Sequence, residues 1–250
     1  MLTRHVVITG AAQGLGRAIA KAFVGQGYSV AVTDINLAAA EKTVDELLEH
    51  RIDAAQSIIP MQLDVTKKQD FITVRDDLIQ RWGSIEAVIN NAAITETTAL
   101  MDISTDEFVS VSSTNQLSVF LSCQVFGEYF KQIQYGRIVN LSSLAGQNGG
   151  TATGAHYAAS KGAIITLTKV FAKEFAPFNI TVNAIAPGPH DSPAVASIPK
   201  EKLNNIINTI PVKTLGNLDF LGNVSCLLCS DEASFTTGAT WDVNGGLWMR

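Results

Sequence analysis

The chain has 250 residues, of which 46% are apolar and only 16% are charged, with a formal net charge of −5. The mean hydropathy of +0.19 argues against disorder, and the length suits one large α/β domain with a sizeable core. Because the charge balance is acidic, neither nucleic acid nor an anionic membrane is expected as a main partner.

The sequence contains no long apolar run of the signal-peptide type and no segment of transmembrane length, so we expect a cytoplasmic protein. Cys226 and Cys229 form a CxxC within an apolar helical run that has no second Cys/His pair. We therefore expect core packing for both and no metal site.

Short β-branched segments alternate with helical patterns along the whole chain. The predicted strands are 4–9, 28–34, 58–64, 85–90, 136–142, 179–186 and 240–243, and the main helical patterns are 37–50, 67–82, 105–133 and 157–176. This alternation predicts an α/β fold, a doubly wound parallel sheet of about seven strands with helices on both faces. No linker or repeat divides the chain, so one domain is expected over residues 1–250.

The first predicted strand leads into a glycine pattern, TGAAQGLG, at residues 9–16. Ligands of doubly wound sheets bind beyond the carboxyl ends of the strands. Gly10, Gly14 and Gly16 would allow a tight turn and the close approach of a diphosphate to a helix N-terminus. The pattern predicts a Rossmann-type dinucleotide site that also includes Gln13 and Leu15.

The second strand ends at Asp34, which is followed by Ile35. A carboxylate at this place accepts hydrogen bonds from the adenosine ribose and repels a 2′-phosphate. No Arg or Lys occurs between residues 33 and 40, so NAD is favoured over NADP. Capping of the following helix by Asp34 or Asn36 is an additional role that could coexist with ribose binding.

Polar residues also follow the next strands. Asp64 and Val65 come after the third strand, and NNAA, residues 90–93, comes after the fourth. Each could be turn chemistry alone, because Asp and Asn bond to the local backbone. Together, at successive strand ends, they indicate the wall of a nucleotide site.

Tyr157 and Lys161 lie four residues apart in a predicted helix and would share one helix face, with small residues between them. If the pair stood alone, an amphipathic helix whose polar tips happen to align would be the preferred explanation.

Taken together, these motifs resemble the short-chain dehydrogenase/reductase (SDR) family. The family pattern is TGxxxGxG, NNAG, a helical Asn, a Ser, YxxxK and PG. The corresponding residues here are Gly10-Gly14-Gly16, Asn90-Asn91-Ala92-Ala93, Asn115, Ser143, Tyr157-Lys161 and Pro187-Gly188, over essentially the whole chain. Ala93 departs from the pattern, and the spacing between Ser143 and Tyr157 is one residue longer than is common.

The resemblance implies a role for each residue of the site. Tyr157 would be the general acid/base, with its pKa lowered by Lys161 and the nicotinamide cation. Lys161 would also hold the nicotinamide ribose, Ser143 would bind the substrate oxygen, and Asn115 would hold a water that links Lys161 to solvent. Ser192 would contact the carboxamide, beyond Pro187 and Gly188. The nearby His190 is expected to be a solvated surface residue.

The activity implied is an NAD-dependent hydride transfer between the cofactor and a small secondary alcohol or ketone. Residues 189–210 would form a lid, whose apolar residues Leu203, Ile206, Ile207 and Ile210 face a polar wall at 147–150. The length of the lid resembles that of 3-oxoacyl-(acyl-carrier-protein) reductases, so a 3-oxoacyl carrier or CoA thioester reductase is the alternative.

Those reductases typically use NADP and have an Arg where this chain has Gln13. Their basic carrier-docking residues are replaced here by Gln134 and Phe178. A non-catalytic NAD-binding regulator is the alternative of another class. Apolar residues on more than one face of the helices at 105–133 and 157–176 predict a homotetramer, with a dimer as second choice: Val119, Phe120, Phe126, Ile164, Leu167 and Phe171.

Overall fold

The computed structural model describes residues 4–150, 153–192, 195 and 199–250. Each predicted strand is present: β1 (His5–Thr9), β2 (Ser29–Asp34), β3 (Ile58–Gln62), β4 (Ala87–Asn90), β5 (Gly136–Leu141), β6 (Ile180–Pro187) and β7 (Thr240–Val243). They form one parallel sheet in the order β3-β2-β1-β4-β5-β6-β7. The predicted doubly wound α/β fold is confirmed.

The strands are apolar because helices cover both faces of the sheet. Every residue of β4, β5 and β6 is buried, whereas the edge strand β3 is only partly buried. Pro60 lies within β3 and has no N–H to donate, which an edge strand tolerates. Where the order reverses, between β1 and β4, the carboxyl ends of the strands border a crevice.

The main helices are α1 (Gly14–Gly25), α2 (Leu37–Leu48), α3 (Lys68–Trp82), α4 (Thr105–Ser112), α5 (Ser118–Ile133), α6 (Ala145–Asn148), α7 (Ala155–Phe175), α8 (Lys200–Thr209) and α9 (Leu218–Cys229). Helices α1, α2 and α9 share one apolar core with the sheet, and α3, α5 and α7 share the other. Cys226 and Cys229 lie in the first core, as expected, and burial raises the pKa of Cys226 to about 12. In the described ranges, no helix is long and apolar enough to span a bilayer.

The predicted helix over 105–133 is interrupted. After α4, residues Ser113–Leu117 form a π-helical turn, and α5 starts at Ser118. Asn115 in this turn is completely buried and is bonded to the backbone of Ile94. A π turn inserts one residue without changing the apolar pattern on either side, and such turns are frequent at functional sites.

The expectation that α5 and α7 present apolar residues to another subunit needs a correction. Val119, Phe126, Ile164 and Phe171 are buried in the core of this chain, because both helices pack against the sheet. Leu167 packs against the same core. The large apolar side chains that remain exposed on α4, the π turn, α5 and α7 are Phe108, Val109, Leu117, Phe120, Ile133 and Val170.

Candidate active site

A cavity of about 580 Å³ opens at the carboxyl ends of the strands, at the reversal of strand order. It brings together nearly all of the residues predicted from the sequence. Its lining includes Gly10, Gln13, Leu15, Gly16, Asp34, Ile35, Asp64, Val65, Asn91, Ala92, Ala93, Ser143, Tyr157, Lys161, Pro187 and Gly188. The predicted residues Gly14, Asn115 and Ser192 are not part of the lining.

The glycine loop after β1 fits a bound diphosphate. Gly10 has φ +61°, and a Cβ there would lie 2.8 Å from Cα of Ala92, so no larger residue fits. Gly14 has φ +56° and open space within 4 Å of the position of its missing Cβ, which leaves room for a ligand beside the backbone. Asn91 fixes the loop from β4, since its Nδ2 donates to the carbonyls of Thr9 and Gly10 at 2.9 and 3.0 Å.

Asp34 ends β2 and faces the same loop. Its carboxylate accepts from Ala12 N at 3.3 Å and from Asn36 N at 3.1 Å. The cap of α2 is Asn36, whose side chain accepts from Ala39 N at 3.1 Å. No Lys or Arg pairs with Asp34 among the residues described, so no cation offsets this carboxylate beside the cavity.

Asp64, at the end of the third strand, has a local role as well. Thr66 donates to its Oδ1 from both the backbone N–H, at 3.0 Å, and the hydroxyl, at 2.7 Å. Lys67 Nζ lies 3.0 Å from Oδ2. Hydrogen bonds from Thr66 and Lys67 lower the pKa of Asp64. Turn chemistry and a place in the cavity wall therefore coexist here.

Lys161 is buried with one hydrogen-bond acceptor. Its Nζ donates to Leu141 O at 2.7 Å and lies 5.6 Å from the centre of the Tyr157 ring. Burial lowers the pKa of Lys161 to about 8. The ammonium therefore exchanges its proton much closer to neutral pH than an exposed lysine does.

Tyr157 contributes its phenol to the cavity, in reach of two hydroxyls. Burial raises the pKa of Tyr157, and hydrogen bonds with Ser143 and Thr95 oppose the rise. The expectation that Lys161 lowers this pKa is not met by the protein groups, because the ammonium lies over the ring and is directed at Leu141 O. Ser143 Oγ accepts from Ala145 N at 3.1 Å, which leaves its own proton free to donate.

Asn115 links the segment after β4 to the helix that carries Tyr157. Its Oδ1 accepts from Ile94 N at 2.9 Å, and its Nδ2 donates to Ile94 O and to Ser160 Oγ, each at 3.0 Å. Ser160 in turn donates to Tyr157 O at 2.7 Å. Both amide protons of Asn115 are thus used within the protein, and its role in holding a water stays a prediction.

His190 is buried, which corrects the expectation of a solvated surface residue. The side chain belongs to a residue only 4% exposed, and Nδ1 donates to Gly188 O at 2.8 Å. The reason is an isolated β-bridge between His190 and Gly216. The ring occupies the space beside that glycine, where a Cβ would lie 2.5 Å from Nε2.

The predicted lid is only partly described, because residues 193–194 and 196–198 lie outside the described ranges. Ser192 accepts from Val195 N at 3.4 Å and does not line the cavity. In and just after α8, Leu203, Ile206 and Ile207 are half-buried and Ile210 is buried, which agrees with one apolar helix face. None of these four side chains lines the cavity.

The predicted polar wall at 147–150 is tied to the end of the chain. Gln147 Nε2 donates to Asp242 Oδ1, and Arg250 Nε donates to Asp242 Oδ2 at 2.8 Å. Although burial alone would raise it, the pKa of Asp242 is lowered by hydrogen bonds from Arg250 and Gln147. Asn148 and Gly149 are exposed.

Several lining residues escaped the sequence reasoning, notably Thr95 and Thr114. Thr114 directly precedes Asn115, and Thr95 is separated from NNAA by Ile94 alone. Hydroxyl residues close to the motifs were therefore an available signal. Leu63, Ile94 and Leu141 also line the cavity, and their sequence positions give only a core pattern.

A family model described as enoyl-(acyl carrier protein) reductase matches residues 10–248. The chain is 33% identical over 241 residues to a 3-oxoacyl-(acyl-carrier-protein) reductase FabG of Thermotoga maritima, with 96% of each sequence covered. It is 32% identical to a FabG of Staphylococcus epidermidis, covering 99% of this chain and 100% of that one.

Comparison with solved structures gives matches to the same kind of reductase. A 3-oxoacyl-(acyl-carrier protein) reductase from Brucella melitensis superposes with a TM-score of 0.92 at 36% identity, covering 99% of this chain and 92% of that one. A second Brucella melitensis structure of such a reductase, with bound NAD, gives a TM-score of 0.89 at 35% identity, with the same coverage. The chain therefore belongs to the short-chain dehydrogenase/reductase family, and it is an oxidoreductase that uses a nicotinamide cofactor to interconvert CH–OH and C=O groups.

Proposed function

We propose that this enzyme uses NAD(H) to interconvert a small, free secondary alcohol and its ketone. The observation that carries the proposal is the cavity at the strand ends, where Tyr157, Ser143 and Lys161 share one space with Asp34 and the glycine loop. A phenol, a hydroxyl and an ammonium at one end suit carbonyl chemistry. A glycine loop and an unpaired carboxylate at the other end suit a dinucleotide with free ribose hydroxyls.

The chain's own residues handle the proton and the substrate oxygen, while the nicotinamide cofactor supplies or takes up the hydride. In reduction, Tyr157 donates its phenolic proton to the oxygen of the ketone, and in oxidation it takes that proton back. Ser143 donates a hydrogen bond to the same oxygen, because its Oγ only accepts from Ala145 N and its own proton stays free to donate. The raised pKa of Tyr157 keeps the phenol protonated near neutral pH, which is the form that reduction needs.

Lys161 would hold the nicotinamide ribose beside the reacting centre, since its side chain shares the cavity with Tyr157. Burial lowers the pKa of Lys161 to about 8, so its ammonium can release and take up a proton near neutral pH. Asn115 holds the segment after β4 against α7, through Ile94 and Ser160, and so keeps the cofactor side and the phenol side in register. Roles for Gly14 and Ser192 in cofactor binding belong to the same proposal.

NAD is the proposed cofactor because of the charge at the end of β2. A 2′-phosphate would meet the carboxylate of Asp34, which has no cationic partner among the described residues. Gln13 stands in the glycine loop where 3-oxoacyl-(acyl-carrier-protein) reductases have an Arg, and its amide carries no positive charge. The Brucella reductase with bound NAD is consistent with this choice.

The proposed substrate is a free small molecule because the surface offers little to an acidic carrier protein. Gln134 and Phe178 are neutral, and the nearby Lys131 is paired with Glu174 at 2.7 Å. An acidic carrier is bound best by an unpaired basic surface. The named relatives favour a second candidate function, reduction of 3-oxoacyl groups on an acyl carrier protein.

One experiment separates the two candidates. The purified enzyme is assayed by NADH and NADPH absorbance with ethyl acetoacetate, with a panel of small ketones, and with acetoacetyl thioester on acyl carrier protein. We expect the highest kcat/KM for a free ketone with NADH. A kcat/KM for the carrier thioester well above that of every free ketone would overturn the first candidate and support the second.

A matched variant sharpens the result. Gln134→Arg combined with Phe178→Arg adds two charges far from the cavity. We expect a higher kcat/KM for the carrier thioester and no change for ethyl acetoacetate, because only the carrier touches that surface. An equal change for both substrates would contradict docking at this place.

We also propose that the chain assembles into a homotetramer. Exposed apolar side chains on α4, the π turn, α5 and α7 support it, among them Phe108 (45% exposed), Val109 (55%) and Val170 (58%). Multi-angle light scattering at micromolar concentration tests this. A monomer would rule it out, and a dimer would mean that one apolar surface suffices.

A further inference from the structure

The helix that carries Tyr157 starts without a side-chain cap. Helix α7 follows Gly154, which offers no side-chain oxygen to the free N–H groups of the first turn. Tyr157 lies within that turn, so any fraying would displace the phenol. A neighbouring side chain supplies a different anchor.

His156, next to Tyr157, attaches the first turn of α7 to α4. Its side chain is 0% exposed, and Nε2 donates to Glu107 Oε1 at 2.8 Å. The imidazole stacks on Phe108 with 6.4 Å between ring centres. It also fills the space beside Gly154, where a Cβ would lie 2.3 Å from its Cε1. The turn therefore cannot slide along α4 without losing both the hydrogen bond and the packing.

Glu107 is diverted from the role that its position predicts. Ser104 and Glu107 have the spacing of a capping box, and Ser104 Oγ accepts from Glu107 N at 3.1 Å. In a capping box the Glu side chain returns to the N–H of the capping residue. Here the carboxylate is held by Thr98 and His156 instead, and these hydrogen bonds lower the pKa of Glu107. The ionised carboxylate lies beside the start of α7, where negative charge is stabilising.

We propose that Glu107 and His156 are positioning residues for Tyr157: the bond between the half-buried carboxylate and the buried imidazole locks the first turn of α7 and so holds the phenol in reach of Ser143 and Thr95. The inference rests on the catalytic role proposed above for Tyr157. Neither Glu107 nor His156 lines the cavity, so both act only through the helix. A purely structural pair would affect stability and leave turnover unchanged.

The test compares variants of His156 that keep or remove the hydrogen bond. His156→Leu keeps an apolar side chain of similar volume but has no donor, whereas His156→Gln places an amide nitrogen near the position of Nε2. The matched control is His5→Leu, which breaks the same kind of pair, with Glu86 at 3.1 Å, at the amino ends of the strands. Kinetics use ethyl acetoacetate and NADH, and NADH binding is measured by fluorescence.

We expect kcat to fall about 10- to 100-fold in His156→Leu, since a displacement near 1 Å has effects of this size. The Kd for NADH should stay unchanged, and His156→Gln should recover most of the turnover. Glu107→Leu should match His156→Leu in kcat, and the double variant should lose no more than either, because all three break the same bond between Glu107 and His156. His5→Leu should keep the wild-type kcat.

Hydrogen exchange gives a reading independent of turnover. The amides of residues 155–158 should exchange faster in His156→Leu than in wild type, whereas His156→Gln should stay close to wild type. Tyr157→Phe serves as the reference for the proposed function. Normal turnover in His156→Leu beside an inactive Tyr157→Phe would overturn this inference alone. Normal turnover in Tyr157→Phe would overturn the proposed function and this inference with it.

Discussion

Both ends of the sheet bury a long cationic side chain, and the two are bonded differently. At the amino ends of the strands, Arg137 is 1% exposed, and its Nη1 donates to the carbonyls of Gly136 and Asn179 at 2.9 and 3.0 Å. Its guanidinium also lies 3.8 Å from the carboxylate of Asp231 and 4.3 Å above the Tyr135 ring. At the carboxyl ends, Lys161 is 3% exposed and bonds to one carbonyl, that of Leu141.

Because of this difference, the charge of Arg137 is permanent, whereas that of Lys161 can change with pH. A guanidinium stays protonated and satisfies several acceptors at once, so Arg137 serves as a permanent tie between β5, the residue before β6 and the segment after α9. An ammonium with one acceptor is left short of partners, and burial lowers the pKa of Lys161 to about 8. Arg137 therefore has a structural role at the amino ends, and Lys161 can take part in proton chemistry at the carboxyl ends.

The largest expected effect is on turnover at the carboxyl ends. Tyr157→Phe removes the proton and keeps the ring, so kcat should fall by at least about 10²-fold, the low end for lost acid/base catalysis. NADH binding and the melting temperature should change little, because the hydrogen-bond partners of the phenol in the described part of the chain are Ser143 and Thr95 alone. Steady-state kinetics with NADH fluorescence titration measures both. Near-normal turnover would show that another group carries the proton.

A second effect should appear at the amino ends of the strands, where a substitution should lower stability and leave turnover unchanged. Arg137→Met removes the donor from the buried hydrogen bond to Gly136 O and from the bond to Asn179 O, which should lower the free energy of unfolding by roughly 2 kcal/mol. Urea unfolding measures the change, and kcat measured well below the melting temperature should stay at the wild-type value. The control is Arg4→Met, whose pair with the exposed Asp231 should contribute about 1 kcal/mol or less. A large loss of kcat in Arg137→Met would contradict the separation between the two ends.

Lys161 should also make stability depend on pH in a definite direction. Its pKa is about 8 in the folded chain and 10.5 when exposed, so between these values the unfolded state binds more protons. The contribution of Lys161 to stability should therefore rise as pH rises through 8, by about 2 kcal/mol up to pH near 9.5. Urea unfolding of wild type and of Lys161→Met at several pH values measures this contribution, as the difference between their free energies of unfolding at each pH. A difference that stays flat over this range would mean that Lys161 remains charged when buried.

Much of the fold and of the cavity lining could be predicted from the sequence, because both depend on local patterns. The strands are short β-branched runs, and their structural bounds differ from the predicted ones by two residues or fewer, as in β3 and β4. The glycine loop, NNAA and YxxxK follow strand ends or start helices, so a parallel sheet gathers them at one edge. The cavity lining contains residues from each of these motifs.

What escaped prediction depends on contacts between distant segments. The burial of His190 comes from its bridge to Gly216, and that of Arg137 from carbonyls and a carboxylate on other segments. The π turn around Asn115 is set by the backbone of Ile94, which lies on another element. The raised pKa of Tyr157 also depends on distant segments, because the burial of the phenol and the direction of the Lys161 ammonium both arise from tertiary packing.

The smallest expected effect concerns the carboxylates of Asp34 and Asp64, which differ in whether a cation lies beside them. Lys67 compensates Asp64 at 3.0 Å, whereas among the residues that the structure describes Asp34 bonds to backbone N–H groups alone. Asp34→Ala should therefore lower the ratio of kcat/KM for NADH over NADPH by about 10-fold, the loss of one charged hydrogen bond. Asp34→Asn keeps an acceptor but removes the charge, so it should improve NADPH while weakening NADH less. Asp64→Asn is the matched control, and it should leave the ratio unchanged because its charge is already neutralised. A wild-type preference for NADPH, or an equal shift in Asp64→Asn, would show that the charge of Asp34 does not select the cofactor.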